Sequence, residues 1–359
     1  MKKILLTGGG TAGHVTPNIA LLPALQAAGY EIAYVGSYEG IEKKLIADFN
    51  IPYTGISTGK FRRYLDPKNF SDPFRVMKGF VEARNYLKNY QPDVVFSKGG
   101  FVSVPVVRAA ASLHIPCIIH ESDMTPGLAN KLCIPVAEKV CCNFPETMKN
   151  IPADKAVLTG SPIRAELAQG SRLAGLNMCG FTANKPVIMV IGGSLGAANV
   201  NKAVRDALPK LLEDFQVVHL CGKDKIDNLL LNTPGYKQFE YIKAELKDIF
   251  AMADVVISRA GANAICELLA LKKPNILIPL PAASSRGDQL LNAASFEAQG
   301  YSIVLNEDDI TTNLLVDKVH ELYFNRQNYV EAMSRSHQMD AINTIMLLIN
   351  EAANKSHTQ

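Results

Sequence analysis

Short apolar runs alternate with longer amphipathic stretches along the whole chain. In the first half this pattern predicts strands at 4–6, 31–35, 51–56, 93–97, 116–120 and 138–142, and helices at 40–49, 73–90, 103–114 and 126–133. The strands at 93–97 and 116–120 have apolar cores, as strands covered on both faces require. The pattern therefore predicts an α/β fold built on a parallel sheet.

The same architecture starts again after a break near Gly160-Ser161-Pro162 and a less regular segment to about residue 184. A strand at 186–191, a glycine-rich turn at 192–197 and a helix at 199–212 follow, with further strands near 216–220, 237–241, 254–258, 275–279 and 301–304 and helices at 310–324 and 339–353. We expect two Rossmann-like domains, 1–163 and 164–338, whose parallel sheets face each other across a central ligand cleft. Residues 339–359 are expected to return as a helix to the first domain.

The first strand runs directly into a glycine-rich turn and a helix. This arrangement is typical of an anion-binding site, because the free N–H groups at the start of the helix point outward. The turn satisfies the dinucleotide spacing Gly-x-Gly-x-x-Gly at 8–13. That fingerprint also needs an acidic residue after the second strand, where Gly36-Ser37 stands and Glu39 comes late. Glycine turns are also common in α/β sheets without any ligand. The sequence favours a phosphate-type site here over a nicotinamide or flavin site.

Polar or glycine-rich loops follow several later strands. In a parallel sheet, the loops after the carboxyl ends of the strands line the ligand crevice. The loops at 97–100 and 120–123 belong to the first domain, and those at 258–267 and 286–289 belong to the second. In the second domain, Glu267 could accept hydrogen bonds from a sugar diol, or it could simply stabilise the first turn of a helix.

Composition and charge limit the classes of partner. The chain has 48% hydrophobic and 20% charged residues, as ordinary globular proteins have. Residues 1–165 carry 19 Lys and Arg against 13 Asp and Glu, and the remainder carries 18 against 21, so the first half should face something negative. The segments 60–65 and 73–80 mix bases with aromatic side chains. They could be a solvated loop and a core-facing helix, or a surface that meets an anionic membrane; nucleic acid is not expected.

No segment is predicted to span a membrane, because the most apolar run, 101–119, is interrupted by charged and proline residues. The short apolar run near the N-terminus does not make a signal peptide. Seven cysteines without metal-ligand spacing are typical of a reducing compartment. A cytoplasmic protein is therefore expected.

Seven motifs, taken in order, resemble the MurG family of peptidoglycan N-acetylglucosaminyltransferases. They are GGGTAGHVTPNIALL, SKGGFVSVP, HESDMTPGLANK, GSPIR, IGGSLGAANVN, SRAGANAICE and GDQLLNA. The resemblance implies a GT-B glycosyltransferase that moves GlcNAc, with inversion, from UDP-GlcNAc to undecaprenyl-pyrophosphoryl-MurNAc-pentapeptide. It also implies peripheral association with the cytoplasmic side of the cell membrane.

The resemblance further implies a UDP-GlcNAc site, whose residues it assigns by motif position. These are Thr11, Ala12, Gly13, Arg164, Ser194, Ile242, Ala262, Asn263, Ala264, Ile265, Cys266, Glu267 and Gln289. Ile242 would lie against the uracil, Ser194 near the diphosphate, and Glu267 on the ribose hydroxyls. Many relatives have Asn where this chain has Asp123, and a carboxylate cannot donate the hydrogen bonds of an amide.

Inverting transfer needs a base for the acceptor hydroxyl and a clamp for the leaving UDP. The candidate base is His14, which the dipole of the following helix should keep neutral, with Asp123 and Glu121 as further candidates. His14 could instead only bind a phosphate or cap the loop. No Asp-x-Asp run occurs, so we expect helix N-termini and Arg164 to act as the clamp, without metal or cofactor.

Two other classes stay open at this point. A different GT-B enzyme, such as a diacylglycerol glycosyltransferase or a UDP-GlcNAc 2-epimerase, would share the folds and the nucleotide site. A redox or non-enzymatic nucleotide-binding protein is the third possibility, and NADH titration would test it.

Overall fold

The computed structural model describes residues 1–59, 72–193, 196–282, 287–336 and 340–356. The chain forms two compact units, one made of residues 1–164 with 340–359 and the other of residues 165–339. The predicted Lys60 to Leu65 segment, Ser194 and Arg286 lie outside the described residues.

The first unit is a seven-stranded, all-parallel sheet with strand order β3-β2-β1-β4-β5-β6-β7. Its strands are β1 (Lys3–Thr7), β2 (Glu31–Ser37), β3 (Tyr53–Ile56), β4 (Val94–Ser97), β5 (Cys117–Glu121), β6 (Lys139–Cys142) and β7 (Ala156–Leu158). Its helices are α1 (Thr16–Ala27), α2 (Ile41–Ile46), α3 (Asp72–Tyr90), α4 (Ser103–Ala111) and α5 (Leu128–Cys133). The strand order reverses at β1, so the loops after β1 and β4 lie where such sheets bind ligands.

The second unit begins with α6 (Arg172–Cys179) and contains a six-stranded, all-parallel sheet of order β10-β9-β8-β11-β12-β13. Its strands are β8 (Val187–Ile191), β9 (Gln216–Leu220), β10 (Tyr236–Phe239), β11 (Val255–Ser258), β12 (Asn275–Leu277) and β13 (Ser302–Val304). Its other helices are α7 (Ala198–Asp214), α8 (Leu246–Met252), α9 (Ala262–Ala270), α10 (Asp288–Ala298), α11 (Thr312–Phe324) and α12 (Arg326–Ser334).

The last helix, α13 (Ala341–Ser356), packs in the first unit against α1, β4 and β5. Ile345 and Ile349 are fully buried there, in one cluster with Ile4 and Leu6 of β1. A second cluster covers the opposite face of the same sheet with side chains from α3 and α4. The central strands β1, β4 and β5 are thus buried on both faces, which explains their continuous hydrophobic runs in the sequence.

The predicted α/β class, with two Rossmann-like parallel sheets, is confirmed. The sequence pattern missed the short strand β7 and the helices α6 and α8, and α6 lies in the segment predicted to be irregular. α6 is stabilised at its start by the Ser171 side chain, which accepts from the N–H of Ala174, and ends at Gly180 in the left-handed region (φ 68°).

Candidate active site

The glycine-rich turn after β1 is held from beneath by the strands around it. The N–H of Lys98 donates to the carbonyl of Thr7 (2.9 Å), and the N–H of Gly9 donates to the carbonyl of Gly99 (3.3 Å). Gly100 has a φ of 86°, and a Cβ there would lie 2.2 Å from the oxygen of Gly9. Only glycine allows this close approach of the two loops. The loops after β1 and β4 therefore form one rigid wall.

His14 lies at the end of this turn, half-buried, before α1 begins. Its Nδ1 lies 3.1 Å from the carbonyl oxygen of Gly9 and 3.2 Å from the Thr11 hydroxyl. A carbonyl can only accept, so Nδ1 carries the proton and Nε2 keeps its lone pair. This tautomer leaves Nε2 able to take a proton.

The protonated form of His14 is disfavoured. Burial and then the positive charge of Lys98 lower the pKa of His14 from 6.5 to about 4, against the opposite effects of the Gly9 carbonyl and Glu42. The expected neutral imidazole is therefore present, but burial and Lys98 are the main causes rather than the dipole of α1, since the helix starts two residues later at Thr16.

Glu42, on α2, is a functional residue that the sequence reasoning missed. It is fully buried, and its carboxylate accepts from the N–H of Gly10 (3.1 Å) and from the N–H (2.9 Å) and hydroxyl (2.5 Å) of Ser37. Burial would raise the pKa of Glu42, but these hydrogen bonds outweigh it and hold the pKa below 4.5. The ionised carboxylate thus fixes the tip of the glycine turn.

The space for Glu42 comes from three glycines. A Cβ on Gly9, Gly36 or Gly40 would lie within 2.7 Å of the Glu42 side chain. Glycines at positions 9, 36 and 40, which leave room for one acidic side chain, are the sequence signal from which Glu42 could have been predicted.

The loop after β5 carries Asp123 and is organised by Glu121. The Glu121 carboxylate is 4% exposed and accepts from the N–H of Asp123 (2.9 Å), the N–H of Gly127 (3.0 Å) and the amide of Asn130 (2.8 Å). Glu121 is therefore a loop-forming residue and is not placed to act as a base. Asp123 is half-buried on the same edge of the sheet as His14.

In the second unit, two glycine-containing turns lead into the helices α7 and α9. The N-cap residues are Gly261 for α9 and Ala197 for α7, and neither residue makes a side-chain cap hydrogen bond. Gly196 (φ 68°) turns into α7 with its Cβ position 2.0 Å from the Cys221 carbonyl. The N–H groups at the start of a helix attract anions, so both turns suit a diphosphate.

The residues assigned to the UDP-GlcNAc site divide by exposure. Thr11 and Ala12 are exposed, and Gly13, Arg164, Asn263, Ala264, Glu267 and Gln289 are half-buried. Ala262, Ile265, Cys266 and Ile242 have buried side chains, so they would face a ligand mainly through their backbone. Ser194 lies outside the described residues.

Arg259 ties the loops around α9 together. Its guanidinium donates to the carbonyls of Ile278 (3.0 Å) and Pro279 (3.2 Å) and pairs with Glu307. Gln289 accepts from the N–H of Leu280 (3.1 Å) on the same loop. These contacts hold the loop after β12 beside the N-terminus of α9.

Comparison with known proteins identifies the family. Residues 4–142 match the glycosyltransferase family 28 N-terminal domain, and residues 187–346 match the glycosyltransferase family 28 C-terminal domain. The UDP-N-acetylglucosamine–N-acetylmuramyl-(pentapeptide) pyrophosphoryl-undecaprenol N-acetylglucosamine transferase of Lachnospira eligens is 64% identical over 98% of this chain and 99% of its own. The corresponding transferase of Clostridium botulinum is 56% identical over the same shares.

A solved structure supports the same family assignment. The MurG of Acinetobacter baumannii is 28% identical and has a TM-score of 0.77, and the match covers 98% of this chain and 100% of that one. A putative UDP-N-acetylglucosamine 2-epimerase of Listeria monocytogenes, at 13% identity and a TM-score of 0.72, shares the fold alone.

Proposed function

This chain belongs to the MurG family of UDP-GlcNAc-dependent glycosyltransferases, and from that premise we propose how its residues divide the reaction. The enzyme transfers GlcNAc from UDP-GlcNAc to undecaprenyl-pyrophosphoryl-MurNAc-pentapeptide, in peptidoglycan synthesis. The unit of residues 165–339 binds the nucleotide, and the unit that contains His14 binds the acceptor.

His14 is the general base. Its Nε2 takes the proton of the acceptor hydroxyl as that oxygen attacks the anomeric carbon of GlcNAc, from the side opposite to UDP. The bond from the anomeric carbon to the diphosphate oxygen breaks, and the electron pair leaves with UDP, so the configuration inverts. The observation that carries this role is the tautomer of His14, whose Nδ1–H is committed to the Gly9 carbonyl.

The leaving diphosphate is stabilised by the N-termini of α9 and α7 together with Arg164. Helix N-termini supply fixed N–H dipoles that need no rearrangement during reaction. Glu267 binds the ribose hydroxyls, and Ile242 borders the uracil. Asp123, as a carboxylate, accepts from a substrate hydroxyl rather than donating to it.

The acceptor's polar part enters a cavity of about 620 Å³ in the first unit. It is lined by Gly10 of the glycine turn, by Ser57 and Thr58 after β3, and by the basic side chains of Arg75 and Lys78 on α3. The two bases suit the negative charges of a pyrophosphate-linked substrate.

The lipid end is received by an apolar patch made of Phe74 and Met77 on α3 and Leu128 and Leu132 on α5. These side chains are 79%, 64%, 47% and 42% exposed. An apolar cavity of about 390 Å³ lies among α3, α4 and α5, and Arg108 is one of its lining residues. Large apolar side chains beside bases are typical of surfaces that enter the headgroup layer of an anionic membrane.

We therefore propose peripheral binding at the cytoplasmic face of the cell membrane. No helix in the described part of the chain is long and apolar enough to span a bilayer.

The transfer is tested by UDP release from UDP-GlcNAc with and without a soluble lipid-linked muramoyl-pentapeptide. We expect release only with the acceptor. Release without it would point to a hydrolase or an epimerase instead.

The membrane surface is tested by co-sedimentation with anionic vesicles of the double variant Phe74→Ser/Met77→Ser. We expect binding to fall at least about tenfold, because each large apolar side chain contributes about 1.5–3 kcal/mol on burial. Phe80 is left unchanged because it packs partly against the core. Leu229→Ser, at a 93% exposed side chain of the other unit, is the control and should bind as wild type. Equal binding of the double variant and the control would exclude this surface.

A further inference from the structure

Lys98, the residue after β4, has an unusual environment for a lysine, with only 1% of its surface exposed. Its Nζ donates to Nδ1 of His120 (2.9 Å) and to the hydroxyl of Ser122. Burying an ammonium is expensive in free energy unless hydrogen bonds replace its water. Both of these acceptors are neutral groups.

His120 continues the chain of contacts. Burial and Lys98 hold the pKa of His120 well below its ordinary value, so the ring is neutral. Since Nδ1 accepts from Lys98, Nε2 carries the proton and donates to the carbonyl of Gly160 (2.9 Å). Lys98 thus connects the loop after β4 with the loop after β5 and with the segment that leads to Arg164.

Lys98 also lies directly behind the glycine turn. A Cβ on Gly8 would be 3.2 Å from the Cβ of Lys98, and a Cβ on Gly99 would be 3.7 Å from Cδ2 of His14. The charges that act on His14 from the elements packed around it are Lys98, after β4, and Glu42, on α2.

We propose that Lys98 is a positioning residue for the transfer: its buried ammonium fixes the Asp123 loop through Ser122 and keeps a positive charge behind His14. It touches no substrate, because it is enclosed by protein. This inference rests on the proposed role of His14 as the base. Its two effects are separable, since one acts through hydrogen bonds and the other through charge.

The charge effect is measured by an NMR titration of the His14 imidazole in the full-length chain, assigned by difference from His14→Gln. Lys98→Met removes the charge at nearly the same length, and Lys98→Arg keeps it. In Lys98→Met we expect the midpoint to rise by about one pH unit, because a nearby positive charge disfavours the imidazolium. In Lys98→Arg the midpoint should stay close to wild type.

The consequence for catalysis is measured by the pH profile of kcat/KM. A midpoint near 4 leaves His14 about nine-tenths neutral at pH 5, whereas a midpoint near 5 leaves about half of it neutral. Lys98→Met should therefore lose activity at pH 5 relative to pH 8. Ser122→Ala keeps the charge, so it should lower kcat at all pH values without moving the acidic limb. The KM for UDP-GlcNAc should change little in either variant.

The outcomes are distinguishable. An unchanged His14 titration in folded Lys98→Met overturns the inference. A moved titration with an unmoved kinetic limb supports the charge effect and removes His14 from the role of base. If Lys98→Met does not fold, Lys98→Gln, which can still donate to His120 and Ser122, is titrated in its place with the same expected shift.

Discussion

Replacing Glu42 by Gln tests how the glycine turn is held. The carboxylate is fully buried and accepts three hydrogen bonds, one from Gly10 and two from Ser37. Glutamine has almost the same shape but only one accepting oxygen. If that oxygen keeps the two bonds from Ser37, the amide –NH₂ faces the N–H of Gly10. Two donors then meet in a buried space.

The expected loss follows from these contacts. A hydrogen bond to a charged group contributes about 1.5–3 kcal/mol, and a buried donor left without an acceptor costs about 1–3 kcal/mol. One hydrogen bond is lost, and the other two go to a neutral acceptor in place of a charged one. We therefore expect Glu42→Gln to lower the free energy of unfolding by about 2–4 kcal/mol. For a unit of this size that corresponds to a fall in Tm of roughly 5–15 °C.

The pH dependence gives a second, independent check. The pKa of Glu42 is lower in the folded protein than its ordinary value of 4.5. Its stabilising effect is therefore fully present above that value and is lost as the pH falls through the folded pKa. The difference in the free energy of unfolding between wild type and Glu42→Gln should be constant near pH 7 and should decrease below about pH 4.5.

The assay is thermal and denaturant unfolding, with Glu39→Gln as the control. Glu39 is exposed and lies three residues earlier, so its substitution should change stability by less than about 0.5 kcal/mol. Turnover should fall in Glu42→Gln, because Gly10 neighbours the carbonyl that orients His14. Equal stability of the two variants would refute the reasoning.

Three further changes test the site. His14→Ala should lower kcat by about 10²-fold or more with little change in the KM for UDP-GlcNAc, and retained turnover would exclude it as the base. Gly100→Ala places a Cβ against a backbone oxygen at a φ of 86°, so it should lower the free energy of unfolding by about 2 kcal/mol or more. The control Gly127→Ala has open space around its Cβ and should be tolerated, and coinciding unfolding curves of the two variants would contradict this reasoning. Arg259→Met leaves Glu307 without its cation and removes the hydrogen bonds that hold the loop after β12, so the free energy of unfolding should fall by about 3 kcal/mol. The KM for UDP-GlcNAc should rise about tenfold, and an unchanged KM would show that Arg259 does not support the nucleotide site.

Strand positions and glycine turns were predictable from the sequence because each depends on local pattern. Apolar runs identify strands buried on both faces, and a glycine turn after a strand marks the ligand edge of the sheet. β7 was missed because only three residues form it, and its side chains are only partly buried. α6 was missed because Gly175 interrupts its pattern; that glycine lies close to the Asp248 backbone, which the sequence does not reveal.

The polar contacts that organise the site were not predictable in the same way. Glu42 has the sequence pattern of an ordinary charged residue on a short helix, and only its packing against Gly9, Gly36 and Gly40 shows that it points inward. Lys98 and His120 are 22 residues apart, and their contact depends on the adjacency of β4 and β5. The cause of the low pKa of His14 was therefore also beyond the sequence, because it depends on burial and on Lys98.

The place of α13 has a consequence for how the chain is synthesised. Residues that complete the core cluster around β1 are made after all of the unit at 165–339. Until the ribosome has released them, the part of this face that α13 covers, at β4, β5 and α1, stays open to solvent or to chaperones. The unit made second can thus complete its core before the unit made first. A nascent chain stalled before Ala341 would leave this part of the core exposed, so we expect α13 to reduce aggregation of the first unit during translation.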